Sequence, residues 1–130
     1  MRTAKLLPVL TAVCALTLAL AQGAAAADPA SGEKVFNKCK ACHTLEAGKN
    51  KIGPSLQGII GRTAGTVEGF KYSEAMKAAG TGGLVWNDET LDKYLENTKG
   101  FVPGNKMPFP GLKKPEERAD VIAYIKSMMK

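Results

Sequence analysis

Histidine is almost missing from this sequence: His43 is the only one, beside three cysteines and a single tryptophan. That scarcity restricts metal chemistry. A structural zinc site wants four nitrogen or sulfur ligands, whereas Cys39, Cys42 and His43 supply three and only Cys14 is left over. No stretch reads convincingly as a β-strand, which argues against a thioredoxin-like use of the Cys-x-x-Cys pair, because that dithiol accompanies a βαβ pattern. Aromatic residues make up only 6% of the chain, against 14 glycines, so the polypeptide has little apolar surface to bury by itself. The net charge of +6 is too small an excess to imply nucleic-acid binding.

What is present is Cys39-Lys40-Ala41-Cys42-His43. Cys-x-x-Cys-His is the attachment signature of a c-type haem. Thiols three positions apart lie on one face of a helical turn, where both can add to the vinyl groups along one porphyrin edge. His43 then offers an imidazole to the iron, and a methionine thioether from elsewhere is a common second axial ligand that raises the reduction potential. Met107 is the candidate. It lies on no periodic apolar stripe, and Pro103, Pro108 and Pro110 stiffen its segment, which lowers the entropy lost on coordination. Met128 and Met129 read as filler on the apolar side of a C-terminal helix, and Met76 as packing against the haem or the loop.

Residues 1–27 have the form of a cleavable export signal: Arg2 and Lys5, then an apolar run, then a small-residue A-x-A ending at Ala27. An uncleaved leader would instead be an anchor, being near the roughly 20 residues that span a bilayer. Cleavage leaves one domain, 28–130, with 16 basic against 12 acidic side chains. Asp28-Pro29 should start a first helix, with the haem motif at its end. From Thr44 to Phe70 six glycines and a proline preclude a long regular element, so this segment is predicted to be a loop wrapped over the haem. Ser73 should cap a short helix through Ala79, Asn87 or Asp88 a second one ending at Asn97 to Gly100, and Pro115 should open the last. The expected fold is all-α and loop-rich, with short helices around one haem that supplies much of the missing core.

These motifs together make the mature chain resemble a class I cytochrome c, close to the mitochondrial type and its bacterial periplasmic relatives. The resemblance runs from Gly32 to the C-terminus, through Ile52-Gly53-Pro54-Ser55-Leu56-Gln57-Gly58, Gly61-Arg62, Gly69-Phe70-Lys71-Tyr72, Trp86 through Asn97, the Met107 loop and Ile122-Ala123-Tyr124. It implies an exported, periplasmic, monomeric electron carrier with one covalent haem c, no substrate turnover, and acidic redox proteins such as an oxidase, reaction centre, bc complex or dehydrogenase as partners. The enzyme alternative, a haem peroxidase or oxygen-binding protein, would need Met107 displaced. By the same resemblance Cys39 and Cys42 attach the haem and His43 and Met107 ligate iron. Pro54 accepts from the His43 ring; Arg62, Tyr72 and Trp86 hold a buried propionate. Tyr94 bonds near the Met107 sulfur, and Asn105 stands where a threonine often assists. Gly32, Phe36 and Tyr124 form the crossing of first and last helices. Lys38, Lys40, Lys49, Lys51, Lys99, Lys106, Lys113 and Lys114 would ring the exposed haem edge. The segment between Tyr72 and Trp86 is about three residues longer than usual, Met76 stands near a customary asparagine, and Asn50 replaces a common histidine.

Overall fold

The computed structural model describes residues 26–130. The leader expectation therefore falls mostly on residues 1–25, outside the described ones, and on Ala26 and Ala27, which are exposed. Five helices follow in order: α1 (Pro29–Phe36), α2 (Glu74–Thr81), α3 (Asp88–Glu96), α4 (Thr98–Phe101) and α5 (Pro115–Ser127). The all-α expectation holds. Pairing outside helices is confined, among the described residues, to one isolated antiparallel bridge between Thr63 and Val85.

Local chemistry sets the helix starts. The Asp28 carboxylate accepts from the amides of Ala30 and Ser31 at 3.1 and 3.3 Å, and Pro29 at the first helical position gives up no needed donor. Ser73 caps α2 through the Met76 amide at 3.0 Å. Asn87 and Thr90 cap α3 reciprocally, each side chain satisfying the other's amide at 2.9 Å. α5 begins at Pro115 with Glu116 and Glu117 in its first turn, the favourable sign at that end.

Several details differ from the expectation. α1 stops at Phe36, so the cysteine motif lies in the turns beyond the helix. α2 continues past Ala79 to Thr81, because Gly80 is accommodated within it. Asn97 both ends α3 and caps the additional short helix α4, accepting from the Gly100 amide at 2.9 Å. Met128 is 42% exposed rather than on the apolar side, since α5 ends one residue before it.

The tightest packing is α1 against α5. A Cβ on Gly32 would stand 1.9 Å from the Asp120 carbonyl oxygen, so only glycine lets the two backbones approach. Phe36 and Tyr124 meet beside it with ring centroids 5.4 Å apart, as the resemblance implied. Val35, Phe36, Val121, Ile122 and Ile125 from these helices join Trp86, Leu91 and Tyr94 in one buried core. Arg118 is buried within it. Its guanidinium is satisfied by Asp92 at 2.7 Å and the Leu112 carbonyl at 2.9 Å, which ties α3, α5 and the intervening strap together.

The loop between the haem motif and α2 is anchored by backbone bonds. Gly61 donates to the Trp86 carbonyl at 2.7 Å, Trp86 to Arg62 at 2.9 Å, and Ala64 to Leu84 at 2.9 Å. Asn50 spans its two arms, accepting from the Ser55 amide at 2.9 Å and donating to the Glu68 carbonyl at 3.1 Å. The loop bridge therefore survives the exchange of histidine for asparagine.

Candidate functional site

Cys39 and Cys42 stand on a single turn: Cys42 N–H donates to the Cys39 carbonyl at 3.1 Å and His43 N–H to the same oxygen at 2.9 Å. Both are free, half-buried thiols. Burial pushes the Cys39 thiol up to about 11, with Lys38 opposing, so it is protonated at neutral pH.

The segment after the motif folds back on it. Gly53 N–H donates to the Cys42 carbonyl at 2.8 Å and Leu56 N–H to the Thr44 carbonyl at 2.9 Å. Between these two bonds the Pro54 carbonyl meets His43 Nδ1 at 2.7 Å. A carbonyl can only accept, so Nδ1 carries the proton and Nε2 keeps its lone pair for a ligand. Burial draws the His43 pKa below the ordinary imidazole value, the Pro54 bond opposing, which favours the neutral ring that a metal needs. Gly53 is what permits this approach: a Cβ there would lie 2.4 Å from His43 Cε1.

Met107 belongs to the strap between α4 and α5. Its amide donates to Asn105 Oδ1 at 2.9 Å, and its sulfur accepts from the Tyr94 hydroxyl at 3.9 Å. Burial pushes the Tyr94 phenol up to about 12, so it stays a donor throughout the neutral range. Its ring sits between Trp86 and Phe101, with centroids 5.0 and 6.3 Å away. Asn105, standing where the resemblance puts an assisting threonine, reaches Met107 through its backbone amide. It is buried and organises the strap backbone, donating to the Thr98 and Val102 carbonyls at 2.7 and 2.9 Å while holding the Met107 amide.

Arg62 donates to the Ser55 carbonyl at 3.0 Å and to the Gln57 carbonyl. Tyr72 Oη accepts from the Val67 amide at 3.0 Å, and burial raises its pKa while the nearby Arg62 charge opposes. Arg62 and Tyr72 are thus brought within electrostatic reach, and Trp86 is buried next to Tyr94. Of the remaining methionines, Met76 is buried in the core and Met129 packs against it. Sequence reasoning gave no separate role to Gly53, and gave a place only in the surface lysine ring to Lys99. The latter donates to the Asn105 carbonyl, a contact without a periodic signal because it closes across an irregular turn.

The donor set fits a covalently held haem: two free thiols on one turn, an imidazole with Nε2 available, and a thioether held by a phenol. The comparisons agree. The sequence model of the family described as cytochrome c matches residues 29–129. Cytochrome c2 iso-2 of Magnetospirillum fulvum is 54% identical over 99 residues, covering 76% of this chain and 100% of the relative. Cytochrome c of Chlamydomonas reinhardtii is 54% identical over 105 residues, 79% of this chain and 91% of the relative. The solved structure of cytochrome cH from Methylobacterium extorquens superposes with a TM-score of 0.69 at 44% identity, covering 77% of this chain and 98% of that one. The chain belongs to the cytochrome c family, the single-haem electron carriers whose haem c is bound through the cysteines of such a motif.

Proposed function

We propose that His43 and Met107 are the axial ligands, that Cys39 and Cys42 form the thioethers, and that the protein shuttles single electrons between periplasmic partners without turning over a substrate. The haem supplies an Fe(III)/Fe(II) couple. The observation that carries the reading is the 2.7 Å contact of His43 Nδ1 with the Pro54 carbonyl, which fixes the tautomer and strengthens Nε2 as a donor. Tyr94 plays the matching part for Met107, donating to the sulfur at 3.9 Å while Asn105 holds the backbone amide. If His43 and Met107, restrained in this way, both ligate a bound haem, the iron would keep no open site for peroxide or oxygen, which favours a carrier over the peroxidase alternative. Arg62, Tyr72 and Trp86 would surround one propionate, where a cation and donors make a buried carboxylate tolerable.

The expected partners are acidic faces of membrane or periplasmic redox proteins, met by the lysines around the motif and strap. All eight are exposed. Two are partly neutralised on the surface, Lys38 by Glu117 at 3.6 Å and Lys49 by Glu46 at 2.8 Å. Among the described residues no helix is long and apolar enough to cross a membrane. The A-x-A ending supports cleavage after Ala27 and export to the periplasm. Replacing Met107 with alanine tests the ligand assignment: the ferric iron–sulfur band should vanish and the potential fall, whereas Met76→Ala, Met128→Ala and Met129→Ala should keep the band. Loss of the band in Met76→Ala alone would overturn it.

A further inference from the structure

The backbone nitrogen of Asp28 donates to Asp120 Oδ1 at 2.8 Å, joining positions 92 residues apart across the α1–α5 crossing. In the unprocessed chain this nitrogen is a neutral amide. Hydrolysis of the Ala27–Asp28 bond by an export-processing protease adds water across it. The hydroxyl goes to the Ala27 carbonyl carbon and the remaining hydrogen to the Asp28 nitrogen, giving an amine; at neutral pH the new Ala27 carboxyl releases a proton and the amine takes one up, becoming an α-ammonium. We propose that this cleavage creates an ion pair between the new amino terminus and the Asp120 carboxylate, clamping the start of α1 to α5. The inference rests on the processing reading given above.

Three features of the molecule point to Asp120 as the partner. First, the Asp28 carboxylate is already occupied, accepting from Ala30 N, Ser31 N and Ser31 Oγ at 3.1, 3.3 and 2.8 Å. Second, the contact of Gly32 with the Asp120 carbonyl holds the base of that side chain against the first turn of α1. Third, the other acidic groups nearby are spoken for. Ala27 borders a hollow of 420 Å³ that is also lined by Asp88, Asp92 and Lys126. There Asp88 pairs with Lys126 at 2.9 Å and Asp92 with Arg118 at 2.7 Å, while Asp120 forms no ion pair with a side chain among the described residues.

The charged groups around the new ammonium are therefore the Asp28 carboxylate that caps α1, Lys34 of α1 within electrostatic reach of that carboxylate, and Asp120 of α5 in direct contact, while Asp88 and Asp92 of α3 and Lys126 of α5 line the hollow that Ala27 borders. The partial positive charge at the start of α1 opposes an ammonium there. Asp120, at hydrogen-bond distance, is the group that offsets it.

A group whose pKa is raised on folding stabilises the folded state fully below its unfolded pKa, and that contribution is lost as pH rises through the folded value. The α-amino pKa should lie about half a unit above its ordinary range of about 7.7–8.0. Equivalently, the folding constant should carry about a threefold advantage at pH 7 that disappears by about pH 9.5.

Holoprotein is prepared starting at Asp28, starting at Nα-acetylated Asp28, with Ala27 retained, and starting at Asp28 with Asp120→Asn. The α-amino pKa is read by NMR titration and stability by denaturant midpoint at both pH values. Expected are a raised pKa and a threefold pH-dependent loss in the first protein, and neither in the others. An ordinary pKa in the first protein, or a raised one that survives Asp120→Asn, would overturn the ion pair. Intact mass of the native protein separately tests the processing reading: a start at Asp28 supports it, and any other start overturns the role of cleavage even where the prepared chain forms the pair.

Discussion

Gly53→Ala isolates the contact on which ligand geometry depends. Gly53 does not occupy the left-handed region, so alanine fits its backbone and any cost is steric. An added Cβ would lie 2.4 Å from His43 Cε1, 2.7 Å from Nδ1 and 2.9 Å from Nε2, all far inside van der Waals contact. The ring cannot swing clear without giving up the 2.7 Å bond to the Pro54 carbonyl. Overpacking of this kind costs about 1–3 kcal/mol, and a lost net hydrogen bond about 0.5–1.5 kcal/mol. The holoprotein should therefore lose about 2–4 kcal/mol in reversible denaturant unfolding, with a drop in midpoint and little change in slope. Its reduction potential should move as well, because the hydrogen bond that sets the basicity of the imidazole is strained. Gly48→Ala is the control. Gly48 has a φ of 72° and nothing within 4 Å of its Cβ, so it carries a local backbone penalty but no contact with the site. A Gly53→Ala protein within about 0.5 kcal/mol of the parent and unchanged in potential would refute the reasoning.

Asn105→Ala removes the acceptor of the Met107 amide and the donors to two buried carbonyls, and should cost about 2–3 kcal/mol while speeding displacement of the thioether by imidazole or cyanide. Electron-transfer rates with an acidic partner should fall steeply between 0.1 and 1 M salt, where the Debye length shrinks from about 10 to about 3 Å. Lys38→Glu or Lys106→Glu should slow those rates far more than Lys126→Glu. Lys126 is a matched control for Lys38, since each breaks one exposed ion pair, with Asp88 and Glu117 respectively; equal slowing would make net charge the governing quantity. The haem-free polypeptide should show no cooperative melting at neutral pH by circular dichroism, because five short helices bury too little surface alone.

Local features were legible in the sequence, since they depend on neighbours a few positions apart. Asp28-Pro29, Ser73, Asn87 and Pro115 begin helices because each acts on amides within its own first turn. The extra helix α4 and the early end of α1 were missed where signals are weak: four residues give no period, and the turns through Cys39 and Cys42 mix three- and four-residue spacings.

By itself, the sequence determined the chemistry on offer: one imidazole, two thiols on one turn and a proline-stiffened methionine, whose identities no folding can change. The tertiary structure decided what each atom does. Which His43 nitrogen is free depends on a carbonyl 11 residues away, and what Asn105 holds depends on carbonyls at Thr98 and Val102. The support for the Met107 sulfur comes from a helix on the far side of α4. Such contacts join residues with no fixed spacing along the chain, so they are set only when α1, α3 and α5 pack and draw the loop and strap against them.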